Sequence, residues 1–185
     1  YSDRGDVHRS MGNYGLAIRQ YGEAIRHSSG REKAISYYYR RGNAHLDNKD
    51  YDSAIADYTQ VIGVNANHAR ALNGRGRAYD AKNDKERALA DLSAAIDLQP
   101  SHSGFYADRA DLHYQHREYD RAIADYSSAI EHRPGFASAF RARGLSHARK
   151  GDHDKAIDDY TKAISINPAY DEAYRWRAAA HRQKK

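Results

Sequence analysis

Apolar and small residues return along this chain with two nested periods. The short one is helical. Ala156, Ile157, Tyr160, Ala163 and Ile164 trace an i, i+3, i+4, i+7 stripe down one helix face. The long one is 34 residues. The stripe's opening pair recurs as Ala17-Ile18, Ala54-Ile55, Ala88-Leu89, Ala122-Ile123 and Ala156-Ile157, and Tyr21, Tyr58, Leu92, Tyr126 or Tyr160 follows each. Its close recurs as Ala24-Ile25, Val61-Ile62, Ala95-Ile96, Ala129-Ile130 and Ala163-Ile164. Ahead of each stripe stands a basic-small pair: Arg4-Gly5, Arg41-Gly42, Arg75-Gly76, Arg109-Ala110, Arg143-Gly144 and Arg177-Ala178, spaced by 37 and then four times by 34. Pro100, Pro134 and Pro168 keep the same step.

Each unit therefore reads as two helices. In 137–170, Lys150-Gly151-Asp152 forms the turn between them, with glycine suited to a left-handed helix end. Asn167-Pro168 ends the second helix, because a residue before proline avoids the α region. Gly144 and Ala156 are small enough to let the paired helices approach closely. The pattern predicts eleven helices near 1–11, 14–28, 32–47, 51–64, 69–81, 85–98, 102–115, 119–132, 136–149, 153–166 and 170–182. The first linker, around Ser28-Ser29-Gly30, is three residues longer than the others. The extra residues should lengthen the turn or the next helix without breaking the stack, since loop entropy grows slowly with length.

The repeat resembles the tetratricopeptide repeat family, whose units carry a bulky residue, Leu-Gly and Tyr on helix A, then Ala, an aromatic, Ala and Pro along helix B. Here the bulky position holds Tyr1, Tyr38, Leu72, Tyr106, Phe140 and Tyr174. The Leu position is Arg in every copy. The Tyr position holds His8, His45, Tyr79, His113, His147 and His181. The resemblance covers essentially the whole chain, and the Arg-Gly variant is, by that resemblance, common in bacterial members. It implies an all-α fold: a right-handed α-solenoid of stacked antiparallel helix pairs. The expectation is a single array over 1–185, with repeats near 1–31, 35–68, 69–102, 103–136 and 137–170 and a capping helix at 171–185. A lone helix pair cannot bury its apolar face, so neighbours share one core.

An arginine at a usually apolar position needs a partner where it is partly buried. Asp57, Asp91, Asp125 and Asp159 recur on helix B, with Gln20 in their place in the first repeat. They stand 16 residues after one Arg and 18 before the next, so an Arg–Asp ladder within repeats or between them is expected.

Composition narrows the function classes. The chain has 185 residues, no Cys and 16 Tyr, and a net charge of +5. Without cysteine there is no disulfide scaffold, thiolate metal site or Cys nucleophile, and the redox compartment stays open. No apolar run approaches a membrane span, and no signal peptide is visible. A soluble chain is expected, cytoplasmic or periplasmic if bacterial. The histidine ladder does not read as a metal site, because a metal needs ligands about 2 Å from one point and these residues sit on successive stacked units. Gly74-Arg75-Gly76-Arg77 lacks the strand and lysine of a phosphate loop. Asp158-Asp159 are helix neighbours that point to different sides. No cofactor and no catalytic activity are expected.

Tyrosines with a basic surplus would suit single-stranded nucleic acid. Most of the tyrosines, however, fall at core positions, and the face that the resemblance assigns to ligands alternates in charge along the array, so nucleic acid is disfavoured. That face is the helix-A-lined concave groove, where the family binds peptides or protein segments. Its expected site residues here are Tyr39, Arg40, Asn43, Arg70, Asn73, Arg77, Asp108, Asp111, Tyr114 and Arg141. Some family members clamp a peptide's terminal carboxylate with Lys and Asn, Asn, then Lys and Arg. Only Asn43 fits, with Asn73 near the second Asn; Tyr39, Gly104 and Asp108 stand where the cations belong. What remains is a patch of Arg and Asn able to grip backbone or acidic side chains of an extended peptide. The expected role is a non-catalytic interaction scaffold, the alternative a self-associating module that pairs through exposed array ends.

Overall fold

A computed structural model describes residues 1–184 and holds eleven helices among them: α1 Ser2–Ser10, α2 Tyr14–Arg26, α3 Arg31–Asp47, α4 Tyr51–Val64, α5 Ala69–Ala81, α6 Lys85–Leu98, α7 Ser103–Gln115, α8 Tyr119–His132, α9 Ala137–Lys150, α10 His153–Ile166 and α11 Asp171–Gln183. These bounds lie within two residues of the predicted ones. The chain forms two compact units, Tyr1–Leu98 with α1–α6, and the part from Gln99 on with α7–α11. Each is a stack of helix pairs, the arrangement of an α-solenoid. Within each unit successive helices pack on one another, and helices A also touch the next helix A: α1 on α3 and α3 on α5 in the first unit, α7 on α9 and α9 on α11 in the second. Within each unit, no helix B touches the next helix B among the described residues. Helices A therefore converge on the inner side of each unit.

The turns explain the regular pairing. Gly12, Lys49, Asn83, Arg117 and Gly151 all take positive φ at the same place between helices A and B, Gly151 at 88° and Arg117 at 59°. Three non-glycine residues thus accept a conformation that costs an L-residue about 1–2 kcal/mol. The extra length of the first linker enters α3, which runs for 17 residues against 13 in α5, while α2 is one residue shorter than α4, at 13 against 14.

Interlocked small and aromatic residues build the core. A Cβ on Gly42 would lie 3.0 Å from Tyr58, one on Gly76 2.9 Å from Leu92, and one on Gly144 2.9 Å from Tyr160. The Arg-Gly glycine is therefore the slot for the large helix-B side chain of its own pair, Tyr58, Leu92 or Tyr160. Tyr58 is also covered from the next repeat, where a Cβ on Gly74 would lie 2.5 Å from its ring. Tyr21, Tyr58 and Tyr160 are fully buried, and side chains of this size dominate a core through the area they remove from water.

The arginines resolve into a ladder within repeats. Arg41 pairs with Asp57, Arg75 with Asp91, Arg109 with Asp125 and Arg143 with Asp159, each through two hydrogen bonds of 2.7–2.9 Å. The spacing is 16, helix A to helix B of one pair. The other side of the guanidinium reaches back to the preceding helix B. Arg143 donates to the Ser127 hydroxyl at 2.9 Å, Arg75 to Thr59 at 3.2 Å and Arg177 to Thr161 at 3.3 Å. One planar cation thus ties three helices, a geometry that suits its fork of donors.

The histidines belong to the same fabric. His113 sets Nδ1 2.7 Å from Glu118 and Nε2 3.8 Å from the ladder residue Asp125. His45 does the same with Asp50 at 3.0 Å and Asp57 at 3.9 Å. Among the described residues, no group of three or more His, Asp or Glu is arranged to hold a metal. No helix among them is long and apolar enough to cross a membrane.

Candidate functional site

The inner face of each unit is fixed from below by core tyrosines. The Tyr21 hydroxyl donates to the Asp6 carboxylate at 2.7 Å, the Tyr58 hydroxyl to the Asn43 amide oxygen at 2.7 Å, and the Tyr126 hydroxyl to Asp111 at 2.5 Å. In every case the acceptor lies on helix A, 15 residues before the tyrosine. Burial pushes all three phenols above their ordinary range, aided at Tyr21 and Tyr126 by the carboxylate beside them. They remain protonated and act as donors.

In the first unit, Tyr39, Asn43 and Arg77 gather around Tyr58. The Tyr39 ring tilts against Tyr58 at 6.2 Å and against His68 at 5.1 Å. Arg77 is exposed, and its charge acts on the Tyr58 hydroxyl. Arg40 is turned toward the Asp6 carboxylate of the preceding helix A. Arg70 is exposed at the start of α5. Asn73 is buried, so of the predicted patch it is the residue least able to meet a partner.

In the second unit, Asp108 is half-buried and Asp111 exposed. Tyr114 accepts from Arg149 Nε at 3.2 Å and tilts against Tyr119 at 5.6 Å. Arg141 donates from Nε to the Tyr170 hydroxyl at 2.7 Å and lies 3.6 Å from Glu172. Beside these residues are two concavities that share Trp176. One, of about 310 Å³, is lined by Glu172, Arg175, Trp176 and Ala179. The other, of about 90 Å³, lies over Tyr160. Trp176 is 41% exposed, an unusual placement for so large an apolar side chain.

The sequence reading puts the tyrosines in the core and overlooks their hydroxyls. The signal was present: a polar residue on helix A stands 15 before each Tyr of helix B in three repeats, whereas Arg77 stands before Leu92 and Leu145 before Tyr160.

These features define a helical repeat protein whose inner helices carry an ordered polar and aromatic surface. The tetratricopeptide repeat family model matches residues 39–103 and 107–171, and the chain belongs to that family. No curated protein sequence matches it. Among solved structures it is similar to MamA, at 25% identity over 93% of this chain and 99% of that one, with a TM-score of 0.76. The MamA fragment from Desulfovibrio magneticus RS-1 matches at 22% identity, 92% and 95% coverage and a TM-score of 0.75. A third neighbour is YrrB, described as a TPR protein with an unusual peptide-binding site, at 21% identity, 95% and 89% coverage and a TM-score of 0.69. At that level of identity YrrB and the MamA fragment speak for the fold alone.

Proposed function

We propose that the protein is a non-catalytic scaffold that binds a peptide or protein segment on the helix-A faces of its units. The observation that carries this reading is the set of tyrosine hydroxyl bonds that hold Asp6, Asn43 and Asp111 in place from within the core. A partner would meet a surface that is already ordered, so little side-chain entropy is lost on binding. Tyr39, Arg40, Asn43, Arg70 and Arg77 form the contact set of the first unit, and Asp108, Asp111, Tyr114 and Arg141 that of the second. Membership of a family whose members commonly recruit other proteins supports the same class of function; fold alone does not.

The test is a nuclease-treated pull-down at physiological salt, comparing the intact chain with Arg70→Ala/Arg77→Ala after circular dichroism shows both folded. Both arginines are exposed, so the pair can be removed without opening the core. A protein captured by the wild type and lost by the variant supports the reading. Identical recovery moves the contact away from these arginines.

A second reading rests on the first unit's end, where Tyr1, Val7 and Met11 are 59%, 56% and 68% exposed. A second copy could cover them. A mass in solution that rises with concentration, and falls back in Val7→Ser/Met11→Ser, would favour self-association.

A further inference from the structure

Repeat five breaks the rule that the other tyrosines obey. Tyr160 is fully buried, yet its hydroxyl has no hydrogen-bond partner among the described residues. In the sibling repeats an Asp or Asn, 15 residues earlier on helix A, accepts that bond; here the position is Leu145. A buried hydroxyl left unpaired costs about 1–3 kcal/mol, so the site is destabilised until an acceptor arrives. Tyr160 is one of the residues that line the small cavity in the second unit, together with Leu145, Ala148, Arg149, Trp176, Ala179, Ala180 and Gln183. Its volume of about 90 Å³ is well below the roughly 300 Å³ at which sites for small-molecule ligands begin. It suits one side chain.

We infer that this cavity is a pocket for a single carboxylate side chain of the bound segment, its oxygen accepting from Tyr160 and its charge facing Arg149. The molecule itself indicates the ligand class. Two of the three sibling hydroxyls end on a carboxylate and the third on an amide, so the partner supplies from outside what Leu145 withholds. The apolar walls take the methylene stem, and the Arg149 guanidinium favours a carboxylate over an amide. Trp176, exposed at the rim, covers the stem and excludes water. The Tyr160 phenol is held protonated by its burial, so it donates at every physiological pH. This inference rests on the scaffold reading and assigns one contact of it.

Trp176 is the chain's single tryptophan, so its indole N–H resonance reports on the pocket without ambiguity. The probe is N-acetyl-glutamate N-methylamide, titrated into the full chain to tens of millimolar, with the glutamine and leucine analogues beside it. The wild type should show a saturable shift, with a Kd of about 1–10 mM for so small a ligand. Tyr160→Phe should weaken it about tenfold, the loss of one charged hydrogen bond. Leu145→Asn should abolish it, because the pocket then carries its own acceptor, as Asn43 does for Tyr58. The glutamine probe should bind several-fold more weakly and the leucine probe not at all. No shift in the wild type, an unchanged Kd in either variant, or equal binding of the glutamine or leucine probe overturns the assignment. Panning a displayed random-peptide library on the same proteins separates the two claims. Peptides that share an acidic residue and lose binding to Tyr160→Phe support the pocket. Peptides that bind Tyr160→Phe equally overturn it and leave the scaffold standing. If no peptide is enriched, the scaffold reading fails, and the titration still decides the pocket.

Discussion

The Arg143–Asp159 rung offers the sharpest test of what holds the second unit together. Asp159 is 5% exposed, and the Arg143 side chain 22%. The two hydrogen bonds between them measure 2.7 and 2.9 Å, and the same guanidinium donates to Ser127 at 2.9 Å. Breaking a fully buried pair costs about 3–5 kcal/mol, because the surviving charge is stranded. An exposed pair contributes about 0–1 kcal/mol. This rung lies between the limits, and asymmetrically. Asp159→Ala leaves an arginine that keeps Ser127 and some solvent, so a loss of about 2 kcal/mol is expected. Arg143→Ala leaves a carboxylate with almost no access to water, so about 3–4 kcal/mol should go. Arg143→Met/Asp159→Leu strands neither charge and should recover most of the loss.

Urea unfolding followed by Trp176 fluorescence reads this directly, since the indole sits in the same unit on α11. With m near 1–3 kcal/mol per molar urea, a 2 kcal/mol loss moves the midpoint by about 1 M. Far-UV circular dichroism run alongside shows whether the unit unfolds in one step, which repeat arrays do not always do. The reasoning fails if Asp159→Ala shifts the midpoint by less than about 0.3 M, or if it proves the costlier of the two single changes.

Other outcomes follow from the same packing. Arg117→Gly relieves a left-handed φ of 59° that Gly151 meets without strain at the equivalent turn, so the melting temperature should rise, by about 1 kcal/mol of stability. Gly74→Ala puts a methyl 2.5 Å from the buried Tyr58 ring and should cost about 1–3 kcal/mol in thermal or urea unfolding. Tyr126→Phe deprives Asp111 of its donor and should cost about 1 kcal/mol, whereas Tyr160→Phe, which breaks no bond, should be neutral or stabilising in the same assay. Burial holds the His147 imidazole below its ordinary value near 6.5, so the folded chain binds fewer protons there than the unfolded one. Its contribution is complete above that ordinary value and lost as the pH falls below it. Denaturation midpoints at pH 7.5 and 5.5 should therefore lie closer together in His147→Tyr, the residue that Tyr79 provides in repeat three, than in the wild type.

Much of this architecture was legible because its determinants are local and repeated. The apolar stripes and the Arg-small pairs recur at fixed phase regardless of tertiary context, so the boundaries came out within two residues even where Lys49, Asn83 or Arg117 rather than glycine makes the turn. The Arg–Asp ladder was half legible. Spacing showed that partners existed, but 16 and 18 residues are equally plausible on paper. Only the position of the glycine slot, which sets helix A against its own helix B, decides between them. The three extra residues near Ser28 could not be placed, since a longer turn and a longer helix cost similar entropy; Gly30, at a φ of 112°, starts α3 one turn early. Asn73 read as a groove residue because the family resemblance puts its helix-A position on the lining, near the clamp's second Asn, and it is buried because α5 is covered over most of its circumference.

The tyrosine rule changes how variants of the inner face must be read. Asp6, Asn43 and Asp111 each accept from a core hydroxyl on one side, and in the proposed reading the other side would meet the partner. Replacing any of them strands a buried phenol, so binding and stability fall together, and a loss of capture by Asp111→Ala alone says little about contact. Arg70 and Arg77 are exposed residues of α5, and neither is the acceptor of a helix-B tyrosine hydroxyl; the residue 15 after Arg77 is Leu92. The same logic runs in reverse at repeat five. Leu145 is where an inner-face residue has given up its structural duty, and Tyr160 is the donor released by that change. A face built to bind would show such a break at the position where the partner, rather than the chain, completes the bond.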